Sequence, residues 1–167
     1  MKTRTILKGF HRPLSLIPPC FKFISWKKEF MISKIVVFTD SCRYVLDKGD
    51  QHDWNKLFGF FYGIFGIHKN SVRFVWRYDP IMDKIEIAAY YYSDGQRIYT
   101  IVKIVDINTP VVLTISRIKE SIMMSCDGII KDGMKIQSNK LTFGCGLYFG
   151  GNRRAPRNIT IKMCNND

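Results

Sequence analysis

The chain has 167 residues, of which 46% are apolar, so it is long enough to bury a sizeable core as one domain. Its most apolar run, residues 57–67, is far shorter than the roughly 20 residues that a membrane-spanning helix needs, which excludes a transmembrane helix there. The formal net charge of +12 favours anionic partners such as an acidic polysaccharide, nucleic acid or a lipid surface.

The first residues lack the pattern of a signal peptide for export. Lys8, His11 and Arg12 interrupt any apolar signal core, and no small-residue cleavage site follows, so we expect a cytoplasmic protein. The cysteines are scattered and form no CxxC pair, which predicts reduced, mostly buried thiols and no metal site. No phosphate-binding or dinucleotide-binding glycine motif occurs, and we therefore expect no cofactor.

Short runs rich in Val, Ile, Tyr and Phe alternate with turn signals along the whole chain. They predict strands at residues 3–9, 21–26, 34–46, 57–65, 71–78, 84–92, 97–107, 111–118, 121–126, 129–136, 140–149 and 157–164. A proline-rich loop over 13–19 separates the first two, and Asp94-Gly95 is the clearest hairpin turn.

No stretch between turns has the periodicity of a substantial helix. So many short strands do not fit one flat sheet, and they predict an all-β fold, a two-sheet antiparallel β-sandwich of jelly-roll type. We expect residues 1–167 to form a single domain, with the strands and loop of residues 1–33 packed on it.

Three consecutive strands, at 71–78, 84–92 and 97–105, are expected to be neighbours in one sheet. Side chains alternate across a strand, so one face is apolar core that includes Trp76, Ile87 and Ile104. The other face is rich in arginine and tyrosine, the residue types that bind sugars and anions. Its candidate ligand-binding residues are Arg73, Arg77, Glu86, Tyr90, Tyr92 and Tyr99. The alternative is a solvated face with cross-strand ion pairs, such as Arg73 or Arg77 with Glu86.

Polar residues flank the strand at 57–65 and are expected at the rim of that face. The rim candidates are Asn55, Lys56, His68 and Asn70. His68 has the ordinary pKa range of a general base, although turn chemistry explains a His-x-Asn-Ser stretch equally well. His52 and Asp53 lack the spacing that would support a metal site.

Segments 53–60, 68–78, 84–97 and 147–163 resemble a group of small bacterial proteins of the Bacteroides type, with a jelly-roll sandwich and no established activity. The motif YFGGNRRAP near the C-terminus is also similar to the last strands of concanavalin-like sandwiches, which include lectins, laminin-G-like modules, glucanases and alginate-lyase-type enzymes. Glucanases of that fold carry an ExDxxE pattern, whereas the equivalent face here offers Glu86. The lyases use Arg, His and Tyr across the concave sheet, which this chain matches in residue type. The matching residues are Arg73, Arg77, His68 and Tyr90.

These observations leave three functions open. The sequence favours a non-enzymatic binding module that recognises carbohydrate or another anionic polymer on a concave sheet face. The alternatives are a polysaccharide lyase or hydrolase that uses the same face, and an intracellular protein-interaction domain without catalysis. Nucleic acid is a weaker candidate, because no known DNA- or RNA-binding motif accompanies the basic and aromatic residues.

Overall fold

Twelve β-strands and two single-turn 3-10 helices form the regular structure of the described residues. A computed structural model describes residues 1–14, 22–25, 29–47, 49–63, 68, 70–93, 95–135 and 142–166, and for 22–25 and 93 only the backbone. The strands are β1 (Lys2–Ile6), β2 (Lys22–Ser25), β3 (Glu29–Phe38), β4 (Asn55–Tyr62), β5 (Ser71–Asp79), β6 (Lys84–Ser93), β7 (Gln96–Asp106), β8 (Pro110–Ile118), β9 (Ser121–Cys126), β10 (Ile129–Lys135), β11 (Thr142–Cys145) and β12 (Ile159–Asn165). The 3-10 helices are Asp40–Cys42 and Asp50–His52.

The strands form the predicted two-sheet antiparallel sandwich. The first sheet has the order β1-β12-β3-β8-β9-β10, and the second has the order β2-β11-β4-β5-β6-β7. The hairpins β5–β6 and β6–β7 make neighbours of the three strands that were expected to lie side by side. Gly95 has a φ of +82° in the turn between β6 and β7, a conformation that glycine adopts without strain.

The core lies between the sheets and takes one residue in two from most strands. The second sheet contributes Phe74, Trp76 and Ile87, and the first contributes Phe38 and Leu113, all with at most 1% of their surface exposed. This alternation confirms the predicted apolar face of residues 71–92. Within the described residues, no helix is long and apolar enough to cross a membrane.

A bulge in the β6–β7 pair changes which β7 residues face the core. Ile87 lies opposite Lys103 and Ala88 opposite Ile101, so Val102 is an extra residue. Because an extra residue shifts the alternation by one, the outward and inward sides exchange beyond it. Ile104 is therefore 44% exposed and Val105 only 4% exposed, so the prediction that Ile104 belongs to the core was wrong.

Strand β3 ends at Phe38, well before the predicted end of that strand at residue 46. Thr39 and Ser41 explain the difference, because their hydroxyl groups replace ladder hydrogen bonds. Thr39 Oγ1 donates to the carbonyl oxygen of Thr160 at 2.7 Å, and Ser41 Oγ accepts from the Thr160 N–H at 2.7 Å. Such local side-chain bonds favour a turn over a continuing strand, and the chain enters the 3-10 helix at Asp40.

The N-terminal strand pairs with β12, and the chain then continues alongside residues 149–155. Residues 9–12, which we name the N-terminal strap, form backbone hydrogen bonds with the glycine-rich stretch after β11. The Phe149 N–H donates to the His11 carbonyl at 2.7 Å, and Gly9 and Phe10 bond to Ala155 at 2.9 and 3.0 Å. The strap is therefore held by residues that are distant in sequence. Residues 15–19 of the predicted proline-rich loop lie outside the described residues.

Candidate functional site

The predicted polar residues of β5, β6 and β7 lie together on one side of the second sheet. We name this side, which is turned away from the core, the outer face. Arg73 lies opposite Tyr90, and Tyr90 in turn lies opposite Tyr99. In β4, Lys56 lies opposite Val75 and so shares the outer face. Alternation along each strand therefore brings these side chains from four strands to one surface.

The middle of the outer face holds a small group of buried side chains. Trp54, Val75, Ala88 and Tyr90 form a small apolar cluster that is separate from the core between the sheets, and Tyr92 packs against it. Trp54 contacts the ring of Tyr99 with ring centroids 5.4 Å apart. The outer face thus has an apolar floor, with more exposed polar groups around it.

Arg77 and Glu86 form a cross-strand ion pair on the outer face. Arg77 Nε donates to Glu86 Oε2, and the two side chains are 21% and 10% exposed. The Arg77 guanidinium also covers the ring of Trp54 at 4.4 Å from its centroid, a cation–π distance. The sequence also allowed a face with cross-strand ion pairs, and Arg77 and Glu86 form such a pair.

Arg73 is a buried cation beneath the surface. Its guanidinium donates to Ser71 Oγ at 2.9 Å and lies 5.7 Å from the ring centroid of Tyr90, with 4% of the residue exposed. The Tyr90 hydroxyl donates to the Tyr92 hydroxyl at 3.3 Å. Burial, reinforced by this hydrogen bond, raises the pKa of Tyr90 to about 12, so its phenol stays protonated near neutral pH.

His68 lies at the edge of this group. Its ring meets the ring of Tyr92 edge-on, with centroids 6.1 Å apart, and the residue is exposed. Desolvation, followed by the positive charges of Arg73 and Lys56, lowers the pKa of His68 below its ordinary 6.5. His68 is therefore a neutral imidazole at pH 7, the form that accepts a proton.

Lys56 is more accessible than Arg73 and is half-buried on the outer face. Its ammonium donates to the Trp54 carbonyl at 2.7 Å and the Gly150 carbonyl at 3.4 Å. Burial, together with the positive charge of Arg73, lowers the pKa of Lys56 to about 8. The side chain is thus a cation at neutral pH that loses its charge in mildly alkaline solution.

Two of the predicted rim residues, Asn55 and Asn70, do not place their side chains beside His68 and Lys56. Asn55 is opposite Trp76 and faces the core, where its amide donates to the Tyr44 hydroxyl at 2.7 Å and accepts from the Gly150 N–H. Asn70 is half-buried just before β5, and its carbonyl accepts from the Tyr62 N–H at 3.0 Å. The structure therefore brings together Lys56 and His68 of the rim set, and separates Asn55 from them.

Sequence reasoning missed a second group, which is centred on Tyr148. This residue forms an isolated bridge with Lys56, whose ammonium lies 5.8 Å from the Tyr148 ring centroid. The His11 ring stacks on it at 4.9 Å with an interplanar angle of 11°, and the Arg12 guanidinium lies at 5.4 Å. The alternation of apolar Leu147 and Phe149 around Tyr148 was a usable signal for its outward direction. Nothing local indicated the contacts from the N-terminal strap.

A cavity lies elsewhere in the described part of the chain. It has a volume of about 830 Å³ and opens beside β1, β3, β4, β11 and β12. Its lining includes Ile32, Leu57, Phe58 and Met163, and it contains none of the ten residues that the sequence singled out. In the described part of the chain, no three or more His, Cys, Asp or Glu side chains come together as metal ligands.

No protein-family model and no curated protein matches the sequence. Solved structures of alginate lyases do match the fold. The structure of alginate lyase AlyC3 in complex with dimannuronate matches with a TM-score of 0.62 at 10% identity, over 99% of this chain and 75% of the lyase. For the alginate lyase from Klebsiella pneumoniae, the TM-score is 0.58 at 8% identity, over 82% of this chain and 60% of the lyase.

A third match is family 7 alginate lyase A1-II′ with a histidine-to-asparagine and a tyrosine-to-phenylalanine substitution, in complex with substrate. Its TM-score is 0.53 at 9% identity, over 86% of this chain and 63% of the lyase. The chain thus spans roughly three-fifths to three-quarters of the length of these enzymes.

The comparisons establish the jelly-roll sandwich, because identities of 8–10% carry the fold alone. They contradict the expectation of a module without catalysis, since the matching structures are those of enzymes. They do not support the grouping with small bacterial proteins of the Bacteroides type.

Proposed function

We propose that the chain is a polysaccharide lyase that cleaves a uronic-acid polymer on the outer face of the second sheet. The observation that carries the proposal is the neutral imidazole of His68 in contact with Tyr92, beside the cations Lys56 and Arg73. A base, phenol hydroxyls and fixed positive charge are the groups that the elimination of a uronic acid requires.

The reaction breaks the bond between C4 of the uronate and the glycosidic oxygen. A base removes the proton from C5, the electron pair of that C–H bond forms the C4=C5 double bond, and the leaving oxygen takes a proton. The C5 proton is acidic enough only if the adjacent carboxylate is neutralised, because the developing charge spreads onto that group. A cation held in a partly desolvated site provides this stabilisation.

The residues divide these tasks as follows. Lys56 binds the carboxylate of the reacting sugar from the surface, while the buried charge of Arg73 adds positive potential from below. Neutral His68 accepts the C5 proton. Tyr148, whose ring contacts Lys56, donates the proton to the leaving oxygen. Tyr99, which is exposed and is supported from below by Trp54, supplies an apolar surface against which a sugar ring can pack.

Hydrolysis fits this face less well than elimination. Glycoside hydrolases commonly use two carboxyl groups, one on each side of the scissile bond. Glu86 is ion-paired with Arg77 and largely buried, so it is not available as an acid or base. Elimination needs no such pair, and this favours the lyase over the hydrolase.

The proposal is tested by incubating the protein with polymannuronate, polyguluronate, polygalacturonate and glycosaminoglycans. The product carries a C4=C5 double bond conjugated with its carboxylate, which absorbs in the ultraviolet. His68→Asn is expected to lower the rate by about 100-fold or more, the usual contribution of a general base. His52→Asn is the matched control, because this second histidine is also exposed. Absence of unsaturated product from every polymer would contradict the proposal.

A further inference from the structure

Positive charge extends across the outer face beyond the groups assigned to the reaction. At one end Arg12 of the N-terminal strap lies against Tyr148, which bridges to Lys56 of β4. At the other end Arg97 of β7 is exposed and lies opposite Tyr92. Arg73 lies between them on β5. The cations therefore come from the strap, β4, β5 and β7, and follow an oblique line across the sheet.

The length of this line exceeds one sugar ring. Neighbouring strands in a sheet are about 4.8 Å apart, and four such steps separate the Tyr148 segment from β7 by way of β4, β5 and β6, which amounts to about 19 Å. A ligand that meets both ends must be a chain of sugars that crosses the strands.

The strap holds Arg12 in a defined place. The His11 ring stacks on Tyr148 and its Nδ1 is 2.9 Å from the Phe149 carbonyl oxygen, while the His11 carbonyl accepts from the Phe149 N–H at 2.7 Å. Arg12, the next residue, is exposed, with its guanidinium 5.4 Å from the Tyr148 ring centroid. An exposed guanidinium on a fixed backbone next to a proposed active site is suited to bind a carboxylate.

We propose that the N-terminal strap forms a second anion-binding subsite, in which Arg12 binds the carboxylate of the sugar adjacent to the one whose C5 proton is removed. This inference rests on the proposed function and names its substrate class, a polymer in which consecutive sugars are uronates. In a polymer that alternates a uronate with an uncharged sugar, the neighbour of each uronate has no carboxylate. When Lys56 binds a uronate of such a polymer, the sugar next to Arg12 is therefore uncharged.

The experiment compares Arg12→Ala with Lys162→Ala, which removes one exposed cation from β12 of the opposite sheet. Dissociation constants are measured by affinity electrophoresis in gels with polymannuronate or with hyaluronan, a polymer of alternating uronate and amino sugar. Arg12→Ala is expected to weaken polymannuronate binding about fivefold, the size of one exposed ion contact, and to leave hyaluronan binding unchanged. Lys162→Ala should change neither constant by as much as twofold.

Two results would overturn the inference. Equal losses in the two variants would mean that net charge rather than a subsite determines binding, and an unchanged constant in Arg12→Ala would mean that the strap does not bind the polymer. These binding measurements do not depend on turnover. A wild-type protein that binds polymannuronate through Arg12 but forms no unsaturated product would therefore contradict the proposed lyase and leave the subsite standing.

Discussion

Arg77 is half-buried against Glu86 and Trp54, so its removal leaves the buried carboxylate of Glu86 without its partner cation. Arg77→Met is expected to lower the free energy of unfolding by about 2 to 3 kcal/mol, somewhat below the range for a fully buried pair because Arg77 is partly exposed. The double variant Arg77→Met, Glu86→Met should recover most of this loss. Urea unfolding of the three proteins measures both differences, and a double variant no more stable than the single one would contradict the interpretation.

The ionisable groups of the site set the pH range of the proposed activity. His68 must be neutral to accept a proton, so the rate falls as the pH drops through its pKa, which lies below the ordinary 6.5. Lys56 must be charged, so kcat/KM falls as the pH rises through about 8. Lys56→Arg should remove the alkaline limb, since arginine stays protonated. A pH profile on polymannuronate tests this, and an alkaline limb that persists in the variant would exclude Lys56 as its source.

How far the site could be predicted from sequence depends on the range of the contacts. Alternation within β5 and β6 was sufficient to place Arg73 and Tyr90 on one face, because that relation is local. The same alternation puts Asn55 and Lys56 on opposite faces, which a description of both as rim residues overlooked. His11 meets Phe149 across 138 positions, a contact that no local pattern encodes.

At the scale of the element, the bulge in β7 decides which side chain supports the core. Val105→Ala removes a residue that is 4% exposed, and we expect the free energy of unfolding to fall by about 2 kcal/mol. Ile104→Ala removes a larger but 44% exposed side chain, and should cost less than about 1 kcal/mol. Thermal or urea unfolding ranks the two variants. The reverse order would mean that β7 continues its alternation without the bulge.

Strand existence was predictable throughout most of the chain, because runs of β-branched and aromatic residues between turn signals have no competing helical pattern. The ends of the strands were less predictable than their existence. The predicted strand at 34–46 continues past Thr39 and Ser41, whose hydroxyl groups bond to Thr160 instead. Sequence patterns give the direction of a side chain along a strand, but not a hydrogen bond that is formed with a distant strand.

At the scale of the whole molecule, the net charge of +12 affects any polyanion that approaches. We expect the affinity for polymannuronate to fall by about tenfold or more between about 0.1 M and 1 M salt, because the screening length shrinks from about 10 Å to 3 Å. Affinity electrophoresis at several salt concentrations tests this, with a neutral glucan as the control. Binding that does not respond to salt would indicate that apolar contacts with the exposed ring of Tyr99 dominate.

The pairing of β1 with β12 has a consequence for how this molecule is made. Thr5 hydrogen-bonds to Thr160, 155 positions later, so β1 leaves the ribosome long before its partner strand does. One edge of strand β3 also has no pairing partner until β12 has been synthesised. Closing such distant pairs is slow, and the emerging chain carries unpaired edges in the meantime. Slow synthesis or a holding chaperone is therefore expected to raise the yield of native protein.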